Sequence, residues 1–261
     1  MTTAVLTEKV GSTLVITLNR PERHNAVNRD LMDGLGEAMA LLDHDDDVAI
    51  GIVTGAGRSF CSGMDLEYFA SLSGGDFASD GIDGLTSRSD DSKLLIAAVE
   101  GYAVAGGCEI ALGCDLIVAS ATATFGLPEV RHGLVATAGG LFRLPHRIPP
   151  QIALEFAVTG EPFSAERAER LGMINRLTAE GEALSTALDL AAVIQANSAV
   201  AVRATKAIIR QSITLDDKEA FIAQHPIAYP IQSSAAAKNG AASFRERKSR
   251  ISSTAGTGAE Q

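Results

Sequence analysis

The 261-residue chain is short of the features that mark several broad classes of protein. It has three cysteines and no CxxC pair, which argues against a disulfide framework and a structural zinc site. No run of ~18 apolar residues is present, so no membrane-spanning helix is expected, and the N-terminus mixes acidic and basic residues where a signal peptide would be apolar. Basic residues are few, and the net charge of −10 argues against a nucleic-acid surface or an anionic membrane as the main partner. These absences predict a reduced, cytoplasmic, globular protein.

Hydrophobic residues make up 46% of the chain, enough for a large core. Strand-like apolar runs alternate with helix-like patterns as far as residue 178, and only helix-like patterns follow. This order predicts an α/β core over 1–178, a helical region over 179–250 and a disordered tail over 251–261. The predicted strands are 4–10, 13–18, 48–54, 94–99, 115–120 and 173–178. Residues 124–130 predict another strand end and a turn, and residues 133–140 a further glycine-bearing loop. The predicted helices are 29–42, 108–112, 150–159, 165–171, 182–197, 198–213, about 216–224 and about 235–248.

The stretch 94–115 combines a strand, a glycine-rich turn and a short helix. A helix that begins at the adjacent glycines Gly106 and Gly107 leaves backbone N–H groups unpaired in its first turn, and glycine lets a ligand approach them closely. Glu109, three residues after Gly106, would lie on the same face of the helix. One small site would then hold an oxyanion donor and a general base. A glycine-rich helix start with a solvated glutamate fits the same residues, and this stretch alone does not choose between the two.

A second candidate stretch, 55–66, follows another buried strand. Its GxG start suggests a dinucleotide-binding loop, but Phe60 stands where the third glycine of GxGxxG is required, so we reject that hypothesis. Gly63, before a helical turn at Asp65, predicts a second backbone N–H that points into a cleft. Residues 71–91 are rich in Gly, Ser and Asp and predict a mobile surface loop that covers the site as a lid.

Five segments together resemble the crotonase superfamily, which includes the enoyl-CoA hydratases and isomerases. They are NRPERHNAV (19–27), FCSGMDL (60–66), GYAVAGGCEIALGCD (101–115), FGLPEVRHGLVATAGGLFRL (125–144) and AERLGMINRL (168–177). The resemblance implies an α/β fold, a spiral of strand–strand–helix units that holds the active site, with a C-terminal helical trimerisation region. It also implies a homotrimer or a dimer of trimers, and no cofactor, since coenzyme A is part of the substrate.

Carried over to this sequence, the resemblance implies a thioester oxyanion hole made by the backbone N–H groups of Met64 and Gly106. It implies an acid/base pair made by Glu109 and Glu129. Hydration of a 2,3-enoyl thioester needs a base for the attacking water and an acid for C2, whereas moving a double bond needs only one such group. We assign Glu109 mainly to the water and Glu129 to the substrate carbon, although coupled carboxylates also allow the reverse.

The resemblance also places coenzyme A along the loop 20–26 and the segment 64–67, with Arg20 among its basic neighbours. The predicted substrate-binding residues are Arg23, His24, Ala26, Ser62, Asp65, Leu66, Phe244 and Arg247. An alternative thiol nucleophile, His24 with Cys61 or Cys108, lacks a third orienting group. Buried, unreactive cysteines are therefore the better interpretation.

The sequence departs from the common family pattern at several positions. Proline is frequent where this chain has Ala136 and Leu95, and asparagine is frequent where it has Glu100. The lid has few apolar residues, and the chain has no tryptophan near its end. Residues 126–148 also resemble the carnitinyl-CoA dehydratase branch. The predicted activity is that of an enoyl-CoA hydratase, a lyase acting on acyl-CoA. The alternatives are an isomerase, another acyl-CoA dehydratase, a thioester hydrolase, or a non-catalytic acyl-CoA-binding protein.

Overall fold

A computed structural model describes residues 4–72, 84–88, 92–234 and 237. The chain divides into two compact units, Met1–Ala196 and Asn197–Gln261, and each is treated by itself below. The predicted helix 235–248, the predicted tail 251–261 and most of the predicted lid lie outside the described residues.

The first unit alternates strands and helices, as the apolar pattern predicts. Its strands are β1 (Val5–Val10), β2 (Thr13–Leu18), β3 (Ile50–Gly55), β4 (Leu94–Val99), β5 (Tyr102–Val104), β6 (Leu116–Ser120), β7 (Thr124–Gly126), β8 (Phe163–Ser164) and β9 (Arg176–Thr178). Its helices are α1 (Arg29–His44), α2 (Leu66–Ser71), α3 (Gly106–Gly113), α4 (Gly140–Arg147), α5 (Pro150–Thr159), α6 (Ala165–Arg170) and α7 (Ala183–Gln195). The 3-10 helices are Pro21–Arg23 and Pro128–His132. Each strand and helix predicted within this unit is confirmed, with ends that differ by a few residues.

The strands form two sheets that the chain builds in turn. The larger sheet has the order β1-β2-β3-β4-β6-β9, and its neighbours are parallel apart from the β1–β2 hairpin, whose turn holds Gly11 at φ +60°. The smaller sheet has the order β5-β7-β8, and a parallel bridge between Cys61 and Ala103 adds to it. The chain thus passes from the large sheet to the small sheet three times. It does so from β3 to Cys61, from β4 to β5, and from β6 to β7. This confirms the predicted spiral of strand–strand–helix units.

The large sheet is buried against α7 on one face. Ala183, Ala187 and Ala191, spaced four residues apart on α7, form that face of the helix. The strand residues in the same cluster are Ile50, Ile52, Ile96, Ala98 and Val118. The first unit therefore extends beyond the predicted boundary at residue 178. Glu100 contributes to this packing, because its Oε1 accepts a hydrogen bond from the Ala183 N–H at the start of α7, at 3.0 Å.

Three elements of the first unit were not predicted. The helix α4 follows Gly139, which adopts φ +103°, and it contains Pro145, so its sequence resembles a loop. The strands β5 and β8 have three and two residues, too few to show the alternation of apolar side chains that marks a longer strand.

The described part of the second unit consists of α8 (Ala199–Ser212) and α9 (Asp217–Gln232). Asp216 and Glu219 cap the start of α9 reciprocally through their side chains and backbone N–H groups. The prediction that this helix ends near residue 224 is wrong, since it continues through Pro226 and Pro230. Each proline removes one backbone donor, but their spacing of four places both on one side of the helix.

No single helix in the described ranges is long and apolar enough to cross a membrane. Only Ala183–Gln195 and Ala199–Ser212 counted together reach the length and composition that a span requires.

Candidate active site

The segment 60–66 is held in place by a backbone pairing with Val27. The Val27 N–H donates to the Gly63 oxygen at 2.7 Å, and the Val27 oxygen accepts from the Asp65 N–H at 2.9 Å. Successive N–H groups of an extended backbone point to opposite sides. The N–H of Met64, between these two bonded residues, is therefore directed away from Val27.

Gly63 brings this segment against the start of α3. It adopts φ +88°, and a Cβ there would lie 2.6 Å from the Ala105 Cβ and 3.1 Å from the Gly106 nitrogen. Only glycine fits this approach without a shift of the neighbouring backbone. Gly63, the neighbour of Met64, thus lies against Gly106, and the two predicted donor residues, Met64 and Gly106, line one cavity.

The start of α3 is fixed by close backbone contacts. Ala105 precedes it at φ 50° and ψ −128°, a conformation that costs a residue with a side chain about 1–3 kcal/mol. Its N–H donates to the Gly126 oxygen at 2.9 Å. Gly107 allows the helix to approach Cys61, because a Cβ there would lie 2.1 Å from the Cys61 oxygen. The first N–H groups of a helix have no acceptor within it, so the Gly106 N–H is available to a ligand.

Glu109 lies on α3 and is only 4% exposed. Its Oε1 accepts a hydrogen bond from the Gly140 N–H at 2.9 Å. The pKa of the Glu109 carboxyl is raised to about 7, mainly by burial and also by the charge of Glu129, while the backbone N–H groups of Gly140 and Ala138 and the charge of Arg143 oppose the rise. A carboxyl group with this pKa can both release and accept a proton near neutral pH.

Glu129 lies in the 3-10 helix Pro128–His132, directly after Pro128. Its Oε2 is buried and accepts no hydrogen bond from the residues that the structure describes. Burial also raises the pKa of this carboxyl, whereas the charge of His132 lowers it. A buried carboxylate oxygen without a protein partner is costly unless a ligand or water satisfies it, which is typical of a functional site.

Both carboxylates and both backbone donors open into one cavity of about 660 Å³. Most of its other described lining is apolar, with a few polar groups, as is usual for small-molecule sites. The apolar residues are Met32, Leu66, Phe69, Leu72, Ala105, Pro128, Leu134, Val135, Ala136 and Ala138. The arrangement can hold a ligand oxygen at the amides of Met64 and Gly106 while two carboxyl groups exchange protons with the same ligand.

The predicted substrate-binding residues divide into two groups. Ser62 and Leu66 line the cavity. Asp65 instead caps α2, accepting from the Glu67 and Tyr68 N–H groups, and pairs with Arg20 at 3.0 Å. The Arg20 guanidinium also donates to the Ala26 oxygen, so it ties the loop 20–26 to α2.

The other basic residues of this loop lie outside the cavity lining. Arg23 forms an exposed ion pair with Glu67 at 3.0 Å. The His24 ring contacts Ser59 Oγ through Nδ1 at 2.9 Å and Arg58 through Nε2 at 3.2 Å. Binding of coenzyme A by this loop stays a prediction, as it does for Phe244 and Arg247, which lie outside the described residues.

The cysteines have surroundings that disfavour the thiol alternative. Cys61 and Cys108 are fully buried, and burial raises the pKa of each thiol to about 12. Reactivity requires the thiolate form. The ring nitrogens of His24 contact Ser59 and Arg58 and no cysteine. Within the described residues, no group of three or more His, Cys, Asp or Glu side chains is placed to hold a metal ion.

The family model described as enoyl-CoA hydratase/isomerase matches residues 8–251. The chain belongs to the enoyl-CoA hydratase/isomerase family. The enoyl-CoA hydratase EchA19 of Mycobacterium tuberculosis is 38% identical over 93% of this chain and 94% of its own. The carnitinyl-CoA dehydratase of Proteus mirabilis is 39% identical over 81% of this chain and 82% of its own.

Solved structures agree with this membership. The crystal structure of enoyl-CoA hydratase EchA1 from Mycobacterium marinum has a TM-score of 0.87 and 50% identity, covering 94% of this chain and 96% of that one. An enoyl-CoA hydratase from Mycobacterium tuberculosis has a TM-score of 0.87 and 49% identity, with the same coverage. The crotonase-family fold predicted from sequence is therefore confirmed.

Several features of this family site were not found from the sequence. The Gly140 and Ala138 N–H groups beside Glu109 lie at the start of α4, in a stretch that the sequence predicts only as a glycine-bearing loop. His132 and Tyr68 line the cavity without having been singled out. The adjacent glycines Gly139 and Gly140 were the available signal, since such a pair often marks a close backbone approach.

Proposed function

We propose that the chain is an enoyl-CoA hydratase, a lyase that adds water across the 2,3-double bond of a trans-2-enoyl-CoA to give the 3-hydroxyacyl-CoA. The observation that carries this proposal is the presence of two carboxyl groups, Glu109 and Glu129, in the cavity that two backbone donors share. A protein that only binds acyl-CoA would need the donors but not the pair of carboxyl groups.

The proposed reaction uses each part of the site once. The thioester oxygen accepts hydrogen bonds from the Met64 and Gly106 N–H groups, which stabilise the negative charge that develops on it. The oxygen of a water molecule bonds to C3 while Glu109 takes its proton, and Glu129 delivers a proton to C2. The opposite assignment of the two carboxyls gives the same products. The coenzyme A of the substrate is released unchanged as part of the product thioester, so we propose that no separate cofactor is required.

The test is the ultraviolet absorbance of crotonyl-CoA mixed with the purified protein. We expect loss of the conjugated-thioester band without release of free thiol. Glu109→Gln and Glu129→Gln should each lower kcat by about 10²–10⁴-fold, because each removes one proton-transfer group. Glu155→Gln, at an exposed residue of α5 outside the cavity lining, is the matched control and should retain full activity. An unchanged band despite measurable acyl-CoA binding would contradict hydration of this short substrate.

A dehydratase acting on a carnitinyl thioester is a second candidate, favoured by the 39% identity to carnitinyl-CoA dehydratases. The same pair of carboxyl groups would then work in the elimination direction. Relative kcat/KM for crotonyl-CoA hydration and carnitinyl-CoA dehydration distinguishes the two. A large excess for the carnitinyl substrate would favour the second candidate.

We further propose that the protein works in the cytoplasm as a homotrimer or a dimer of trimers. All three cysteines are buried, and Cys61 and Cys108 are free thiols, which supports a reducing compartment. Large apolar side chains exposed on α9, namely Phe221 at 65%, Ile222 at 64% and Tyr229 at 61%, support association of copies. The molar mass in light scattering tests the assembly, and a monomer at micromolar concentration would contradict it.

A further inference from the structure

His132 shares one turn of a 3-10 helix with Glu129. The helix Pro128–His132 contains both residues. A 3-10 helix has three residues per turn, so the side chains of residues i and i+3 lie in line with each other. Accordingly, Glu129 and His132 both line the cavity.

His132 is also the one basic side chain of the described cavity lining. The other titratable side chains there are Glu109, Glu129 and Tyr68. The charge of His132 favours the ionised form of Glu129, against the effect of burial. A protonated imidazole would therefore bring a single positive charge to a site that otherwise holds two carboxyl groups.

The remaining charged groups near Glu129 are engaged elsewhere or lie outside the cavity. The Arg131 Nε donates to the Thr159 oxygen at 3.1 Å. Arg143 of α4 donates to the Ala138 oxygen at 3.2 Å and acts on the charge of Glu109. Glu155 is exposed on α5, the helix that packs against the 3-10 helix. None of these three side chains lines the cavity, whereas His132, an exposed residue, does.

The proposed hydration requires that Glu109 and Glu129 together carry one proton. In the forward direction one carboxylate accepts the proton of water and the other, protonated, supplies C2. In the reverse direction the two exchange roles, but the pair still starts with one proton. Activity is therefore lost at acid pH when a second proton arrives and at alkaline pH when the shared proton leaves.

We propose that His132 is a positioning residue for this pair: its imidazolium, in line with Glu129 on the 3-10 helix, opposes entry of the second proton and so extends activity to lower pH. Imidazole side chains gain charge over about pH 5–8. The predicted effect on the pH dependence of the rate rests on the proposed hydratase function.

The test compares pH profiles of kcat/KM for crotonyl-CoA in the wild type, His132→Leu, His132→Lys and His146→Gln. In His132→Leu, we expect the acid limb to move to higher pH by roughly half a unit to one unit, because the opposing cation is lost, with the alkaline limb unmoved. In His132→Lys, which stays cationic throughout, the acid limb should be retained and the alkaline limb should move to lower pH. His146, exposed on α4 and outside the cavity lining, is the control, and its variant should keep both limbs.

A second readout does not depend on turnover. The Glu129 carboxyl carbon, identified in isotope-labelled protein by its absence in Glu129→Gln, is titrated by NMR. Its pKa should be higher in His132→Leu than in the wild type, and Lys should restore it. An unchanged carboxyl titration in a folded His132→Leu, or an equal loss of activity at every pH, would overturn the inference. Absence of hydration at any pH with the expected titration would overturn the proposed function and leave the charge coupling supported.

Discussion

The two sides of the candidate site are built from different parts of the chain. The donor side, Met64 and Gly106, is made of backbone amides that Gly63 and Gly107 allow to lie close together. The carboxyl side, Glu109 and Glu129, is made of side chains whose protonation depends on burial and on neighbouring charges. The donor side is therefore sensitive to the volume of a few residues, whereas the carboxyl side is sensitive to pH. Substitutions can test each sensitivity separately.

The largest effect expected on the donor side comes from Gly63. A Cβ there would lie 2.6 Å from the Ala105 Cβ, and the residue adopts φ +88°. We expect Gly63→Val to displace the Met64 N–H and to lower kcat by about 10²–10³-fold, as loss of one oxyanion donor does. Gly63→Ala should also lower kcat, but by a smaller factor, because alanine introduces less strain than valine.

Met64→Leu is the matched control for this prediction. It keeps the backbone N–H and should alter kcat/KM by less than about threefold, since substitutions of similar volume are well tolerated. Thermal unfolding separates loss of fold from loss of the donor. Full activity in folded Gly63→Val would contradict the assignment of Met64 as a donor.

On the carboxyl side, we expect Glu109→Gln to increase stability at alkaline pH. The pKa of Glu109 is raised from 4.5 to about 7 in the folded chain, so the folded chain binds this proton more tightly than the unfolded chain does. Stability from this group is therefore present at low pH and is lost as pH rises from about 4.5 through 7. Removing the charge should raise the free energy of unfolding at pH 8 by up to about 3 kcal/mol.

Urea unfolding of wild type and Glu109→Gln at pH 8 and pH 4 measures this difference. The stabilisation should disappear at pH 4, where the wild-type carboxyl is protonated in both states. Glu155→Gln controls for a general change of charge. A variant less stable than the wild type at pH 8 would show that ionised Glu109 stabilises the fold.

The smallest expected effect is at Gly36, a glycine whose surroundings leave room for a side chain. Gly36 lies within α1, and a Cβ there would meet no atom within 4 Å. Gly36→Ala should therefore raise the free energy of unfolding by about 0.5–1 kcal/mol without changing activity. Urea unfolding and the crotonyl-CoA assay measure the two quantities. A less stable Gly36→Ala would show that free space around a glycine is not sufficient to predict that alanine is tolerated there.

Local spacing alone brings some groups of the candidate site together. The pair Gly106 and Glu109 lies within one turn of α3, so helix geometry was sufficient to place an amide and a carboxyl group together. Gly63 was recognisable as a small residue before the helical turn at Asp65. Neither prediction required contacts between distant parts of the chain.

The other half depends on contacts that no local pattern encodes. Glu109 accepts its hydrogen bond from Gly140, which is 31 residues away at the start of α4, a helix that was not predicted. Glu129 was assigned through family resemblance, and the burial of its Oε2 is seen only in the structure. Arg20 pairs with Asp65, 45 residues away, which sequence analysis did not predict for either side chain.

The most direct test of the two-carboxyl hydratase site follows the protons during turnover. Crotonyl-CoA is converted by the purified protein in D₂O, and the product is examined by NMR. The site predicts one deuteron at C2 and a hydroxyl group at C3, added to the same face because both carboxyls open into one cavity. Deuterium at C4 with a shifted double bond, or free coenzyme A thiol without a hydroxyl at C3, would contradict hydration.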